Sequence, residues 1–229
     1  MMTKRERVNR TIRREELDYL PSQITFADRT RDPEIHAALG LPADVTLDDH
    51  IQNHMVISLL KHDYPLFYRN DLKLMRELEA EDIARVDEEQ RVVYDSWGMG
   101  VQVGSDGFFA CFHPLENQQT DEFAERWMPA RIREAVTAPT LEERIRRYTP
   151  PDPNQPGIYD WMQRDLDQHA QHAFVFPSGY FGVFERSYGL VSIPTLFESM
   201  VTQPALVAEL FDKVTQYKLA VSRQMVKMD

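Results

Sequence analysis

Apolar positions recur along this chain at helical spacing, interrupted by a few short runs of β-branched and aromatic residues, and the two periods predict most of its elements. At the start, Thr3 and Glu6 stand at capping-box spacing, and Val8 and Ile12 share the helix face that packs on a larger body. After Pro21 the apolar alternation Gln23–Ala27 predicts a first strand, and a loop-and-helix region follows through Pro42, with Thr46 or Asp48 as a later cap. Asn70 or Asp71 starts another helix, whose stripe is Leu74, Met75 and Leu78. The acidic run Glu77–Glu89 reads as a solvated face.

Val92–Tyr94 and Phe108–Phe112 flank the Gly-rich stretch Gly98–Gly107, which predicts a hairpin or two adjacent strands. From Thr120 to Tyr148 the pattern is helical, with a second capping box at Thr140 and Glu143, and it stops at Pro150, Pro151 and Pro153. A helix around Tyr159–His169 leads into the apolar run Ala173–Phe176, which predicts a buried parallel strand. The last helix has Pro204 in its first turn and Leu206, Leu210, Val214, Tyr217 and Val221 as its stripe. Helices alternating with short strands, without a repeat or a linker, predict one α/β domain over residues 1–229.

Composition narrows the function. With 26 Lys plus Arg against 37 Asp plus Glu the formal net charge is −11, which repels nucleic acid and anionic membrane surfaces. A single cysteine, Cys111, precludes an internal disulfide and fits a reducing, cytoplasmic setting. No apolar run is long enough to span a bilayer. Cys111 and His113 share a strand face but are too few for zinc, and His169 and His172 find no third ligand. Asp95 and Trp97 follow an apolar run, where they read as a turn cap and a packed indole or as part of a pocket lining.

The stretch from Phe176 to Leu206, Phe-Pro-Ser-Gly-Tyr-Phe-Gly-Val-Phe-Glu-Arg-Ser-Tyr-Gly-Leu followed by a short helix and Gln-Pro-Ala-Leu, is similar to the central segment of the uroporphyrinogen decarboxylase superfamily. Lys4–Val8, Pro21, Asp95-Ser96-Trp97-Gly98, His113-Pro114-Leu115 and Pro151-Asp152-Pro153 fall in the order seen in its branch near the corrinoid-dependent methyltransferases. The resemblance implies a TIM (β/α)8 barrel with its pocket at the C-terminal ends of the strands. It also implies that Tyr188 is catalytic and that Asp95, Trp97, Tyr180, Glu185 and Arg186 bind substrate.

Two departures shape the expectation. Where true uroporphyrinogen decarboxylases carry an Arg-rich loop for the substrate carboxylates, this chain reads Phe26-Ala27-Asp28-Arg29-Thr30-Arg31, which speaks against that decarboxylation. The sequence also stops at Asp229, where the family enters another strand, so the barrel is expected to be incomplete at its C-terminus. The zinc-binding His and Cys of the methyltransferase branch lie beyond that point. No metal site is therefore assigned here, and zinc and a corrinoid are expected only of a full-length relative.

The expected function is that of a methyltransferase-related protein acting on a small or corrinoid-linked substrate. A decarboxylase of a tetrapyrrole or other carboxylated substrate, and a non-catalytic partial barrel acting through association, are the alternatives. An unfinished barrel exposes sheet edges, so self-association or pairing with the rest of the barrel is expected, with the stripe of the last helix contributing apolar surface.

Overall fold

The computed structural model describes residues 2–24, 31–104, 109–179 and 181–228. The chain is a mixed α/β protein whose contacts group into two compact units. One comprises the chain up to Lys61 together with Pro156–Ser178, and the other comprises His62–Gln155 and Gly179–Lys227.

The first unit holds α1 (Lys4–Arg13), α2 (Asp32–Ala38), α3 (Leu47–His50) and strand β1 (Met55–Leu59). To the second unit belong α4 (Tyr64–Tyr68), α5 (Leu72–Ala80), strands β2 (Ala84–Asp87), β3 (Val92–Asp95) and β4 (Gly100–Gln102), and helices α6 (Asp121–Trp127), α7 (Arg133–Val136) and α8 (Leu141–Arg147). The chain then returns to the first unit for α9 (Asp160–His169) and β5 (Phe174–Ser178). It ends in the second with α10 (Val183–Val191), α11 (Ile193–Thr202) and α12 (Pro204–Met225).

In the first unit β1 and β5 pair in parallel, from Met55 opposite Phe174 to Leu59 opposite Ser178. The strand expected at Ala173–Phe176 is therefore present. It is buried on one side only, since Val175 is covered while Phe176 opposite Ile57 is 48% exposed. Its partner is Met55–Leu59. Of the strand expected at Gln23–Ala27, residues 25–27 lie outside the described residues, and Gln23 and Ile24 run as coil. There the Asn53 side chain accepts from Ile24 N at 2.8 Å and donates to Ile24 O at 2.9 Å. Helix α9 packs on both strands, with Ser58 Oγ donating to Asp165 Oδ2 at 2.5 Å.

Thr3 caps α1 by accepting from Glu6 N, while the Glu6 carboxylate pairs with Arg10 at 3.2 Å. The face expected from Val8 and Ile12 is only half right, because Ile12 is 65% exposed. The side chain buried beside Val8 is Arg7, which forks onto Asp18 at 2.8 and 2.9 Å, donates to His54 Nε2 at 3.0 Å and lies over the Tyr19 ring. A guanidinium satisfied on every side can replace an apolar residue at a core position. Its proximity holds the Asp18 carboxyl well below the usual carboxylate range.

In the second unit β2, β3 and β4 form an antiparallel sheet in that order. The hairpin partner of Val92–Tyr94 is Gly100–Gln102, inside the Gly-rich stretch, and Phe112 adds a single bridge to Gly100. The turn closes early because Gly98 adopts φ +83° and donates to Asp95 O at 2.9 Å; a Cβ there would lie 2.6 Å from Ile132 Cδ1. The helical stretch Thr120–Tyr148 divides into three, and the Thr140–Glu143 capping box is complete. Thr46 caps α3 and Asp71 caps α5.

Helix α12 buries Leu206, Leu210, Val214, Tyr217 and Val221 against α8, α10 and α11. A fully buried aliphatic side chain contributes roughly 1.5–3 kcal/mol, so this stripe anchors the unit. That corrects its expected role in association, since the surface is consumed internally. Among the described residues the strands form no closed barrel, and no helix is long and apolar enough to cross a membrane.

Candidate functional site

Buried polar side chains in the second unit gather around Arg186, the fourth residue of α10. Gly182 caps that helix and Glu185 reaches back to Gly182 N at 2.7 Å. Consecutive residues on a helix point about 100° apart. The cap therefore holds Glu185 in solvent while Arg186 turns inward to complete burial. Its guanidinium meets Asp63 Oδ1 at 2.5 Å and Asp95 Oδ2 at 3.2 Å, both carboxylates being buried. It also lies 4.6 Å from the Trp97 ring centroid and 5.1 Å from that of Phe181.

Asp95 ends β3 and fixes the turn that follows, its Oδ1 accepting from Trp97 N and Met99 N at 2.9 Å each. The turn-cap reading of this residue holds for one oxygen, while the other is taken up by the ion pair with Arg186. Burial raises the Asp95 carboxyl to about 6, against the opposing pull of Arg186 and the two backbone amides. A carboxyl at that level can hold or release a proton near neutrality. Trp97 packs edge-on to Tyr217 at 4.7 Å, and Tyr148 donates to Trp97 O at 3.0 Å.

Behind this pair the Tyr217 hydroxyl lies 2.8 Å from His62 Nδ1, and His62 Nε2 lies 3.2 Å from Gln155 Oε1. Donation from Nε2 to the amide oxygen leaves Nδ1 to accept the phenol proton. That neutral tautomer fits the depression of His62 to about 4 by burial. Lys218, half-buried on α12, donates to Gly179 O at 2.7 Å and is lowered to about 8, chiefly by burial. Four buried polar atoms in this unit lack a hydrogen-bond partner among the described residues: Arg186 Nε, Trp97 Nε1, Ser96 Oγ and Ser187 Oγ. Each can donate a proton, so the unit retains unused hydrogen-bonding capacity.

Of the residues singled out from sequence, Asp95, Trp97 and Arg186 meet here. Glu185 does not, because it is the exposed helix cap. Tyr188 is half-buried, 5.6 Å from the Phe184 ring, with its phenol raised first by burial and then by Glu185. Tyr180 lies outside the described residues. Sequence reasoning missed His62, Asp63, Gln155, Tyr217 and Lys218 as site residues. Its available signal was the short, Ser58-interrupted apolar stretch Met55–Leu60, because polar residues just after a strand in an α/β chain are site candidates. The spacing of the last helix assigns Tyr217 only to its core stripe.

Cys111 Sγ contacts Gly100 O and His113 Nδ1 lies 2.8 Å from Gly189 O. No three His, Cys, Asp or Glu side chains among the described residues could hold an ion. Comparison with protein-family models, with curated proteins and with solved structures gives no match.

Proposed function

We propose that this chain is a uroporphyrinogen decarboxylase-like protein of the methyltransferase-related branch, a partial TIM barrel that binds a small or corrinoid-linked substrate in the cytoplasm. One observation carries the reading. Two segments quoted for the resemblance, Asp95-Ser96-Trp97 and Phe184-Glu185-Arg186, lie about ninety residues apart, yet their side chains converge in a buried ion pair against an indole. Burial of such a group is costly unless paired, so the convergence is specific and supports a functional role for the cluster.

In this reading Arg186 and Trp97 orient the substrate, Asp95 holds or releases a proton, and Tyr188 donates a hydrogen bond at the edge. No step is assigned to a metal in this reading. The parallel pair β1–β5 backed by α9 supports the barrel part of the proposal.

A second reading, a non-catalytic partial barrel that another chain covers, draws on Ile57 and Phe176, which face each other in register and are both exposed. Calorimetric titration separates the readings, with methylcobalamin and uroporphyrin as the two probes. Saturable binding of methylcobalamin, weakened at least tenfold in Asp95→Asn, supports the proposal. Binding of uroporphyrin alone moves the assignment to the decarboxylase alternative, and failure of both probes up to about millimolar concentration removes the small-molecule reading for these classes.

A further inference from the structure

Among the described residues, helices α10 and α11 leave an apolar face uncovered. Phe184 and Tyr188 stand four apart on α10, and Ile193, Phe197 and Val201 recur every fourth residue on α11. Phe197 is 53% and Val201 83% exposed, while Phe184 and Ile193 are also on the surface. The Phe184 ring lies 5.8 Å from that of Phe197 and 5.6 Å from that of Tyr188, so the two rows form one patch. Isolated exposed apolar residues are ordinary, but a contiguous aromatic patch marks a contact surface.

Charge identifies the kind of occupant. Between Phe181 and Ala205 the only basic residue is Arg186, which is buried in ion pairs, whereas Glu185 and Glu198 are exposed beside the patch. Next to Val201, a shallow groove of about 380 Å³ follows Thr202–Leu206 and is flanked by Glu142 and Glu209, with Arg146 already paired to both. Counting Arg146, the groove carries one net negative charge, and with the exposed Glu185 and Glu198 the face is acidic, on a chain of net charge −11. A second copy would set like charge against like, and an anionic lipid surface would be repelled.

We infer that the α10–α11 face docks a cationic amphipathic helix of a partner protein. Its apolar stripe would lie over Phe184, Phe197 and Val201, and its Lys or Arg residues would meet Glu185 and Glu198. From Ile193 to Val201 the stripe runs about 12 Å at 1.5 Å per residue, long enough for the anchors of two helical turns. The inference does not depend on the function proposed for the Arg186 cluster.

Fluorescence anisotropy tests it with three labelled probes: a Leu–Lys peptide with leucines at helical spacing, a scrambled Leu–Lys peptide of equal charge, and a Leu–Glu counterpart. The Leu–Lys helix should bind at least tenfold more tightly than the other two. Phe197→Ser/Val201→Ser should lose at least tenfold, Glu198→Lys should weaken binding severalfold, and added salt should weaken it further. Both substituted side chains are largely exposed, and Val201→Ser alone serves as the check should the double variant melt early. Equal binding of the scrambled peptide, or unchanged affinity in Val201→Ser and the double variant, overturns the inference. So does a concentration-dependent dimer abolished by Phe197→Ser, or Phe197-dependent binding to phosphatidylcholine vesicles, since either result assigns the face to another occupant.

Discussion

Replacing Arg186 with Met tests whether the buried ion pairs organise the second unit. The substitution keeps much of the side-chain volume but removes the cation that Asp63 and Asp95 share, and these are only 3% and 1% exposed. Breaking a buried pair by removing one partner destabilises by about 3–5 kcal/mol. The upper part of that range is expected because two carboxylates lose the same guanidinium. Asp95 keeps its two backbone amide donors, which limits the loss.

The pH dependence follows from the same geometry. Asp95 already sits at about 6 through burial, and removing Arg186 removes the strongest influence holding it down. A carboxyl whose folded value lies above its unfolded value of roughly 3.9 contributes stability that is fully present below that unfolded value and lost as pH rises through the folded one. The deficit of Arg186→Met relative to the parent should therefore be largest above pH 7 and should shrink toward pH 5, by up to about 1.4 kcal/mol per pH unit for each proton. Urea unfolding followed by circular dichroism at pH 7.5 and 5.0 measures both effects. A loss below about 1 kcal/mol at pH 7.5, or a deficit identical at the two pH values, would refute the assignment of Arg186 as the cation that holds these carboxylates in the core.

His62, neutral and lowered to about 4 by burial, should weaken the fold on acidification. The unfolded imidazole takes its proton first, so stability falls as pH drops from about 6.5 toward 4, by roughly 3 kcal/mol in all. Because Asp95 pulls the opposite way below pH 6, the comparison is between Asp95→Asn and Asp95→Asn/His62→Phe, with the second showing the flatter urea-midpoint profile. Gly98→Ala should cost about 2–4 kcal/mol, since it adds positive-φ strain to a Cβ contact of 2.6 Å with Ile132 and loosens the β3–β4 turn; a thermal midpoint within a degree of the parent would contradict this. Asn53→Ala removes both hydrogen bonds to Ile24 and should lower stability by about 1–3 kcal/mol, measured by urea unfolding, with faster amide exchange at Ile24.

What was legible in the sequence is what burial of apolar surface dictates. The stripe of α12 and the run at β5 could be read because their periods match elements whose apolar sides are buried. The Thr46, Asp71 and Thr140 caps were legible because capping is local. Strand β1 escaped because Met55–Leu59 is five residues with Ser58 in its midst, and its partner lies more than a hundred residues away. The apolar alternation beginning at Gln23 was the more conspicuous strand signal.

Buried arginine is the harder problem, and it explains most of what the sequence concealed. Arg7, Arg144 and Arg186 are at most 5% exposed, each where a helical pattern alone predicts an exposed polar residue. Arg144 is satisfied by four backbone carbonyls, those of Leu115, Glu116, Ala138 and Pro139, and Arg7 by the bidentate Asp18 and His54. These two leave no buried donor unmatched. Arg186 alone of the three keeps Nε without a partner among the described residues, and it lies over the ring of Trp97, whose indole N–H is likewise without one. An arginine that only tied the fold together would be expected to resemble the other two. The difference in how completely the three are satisfied, rather than burial as such, directs the functional reading to the Arg186 cluster.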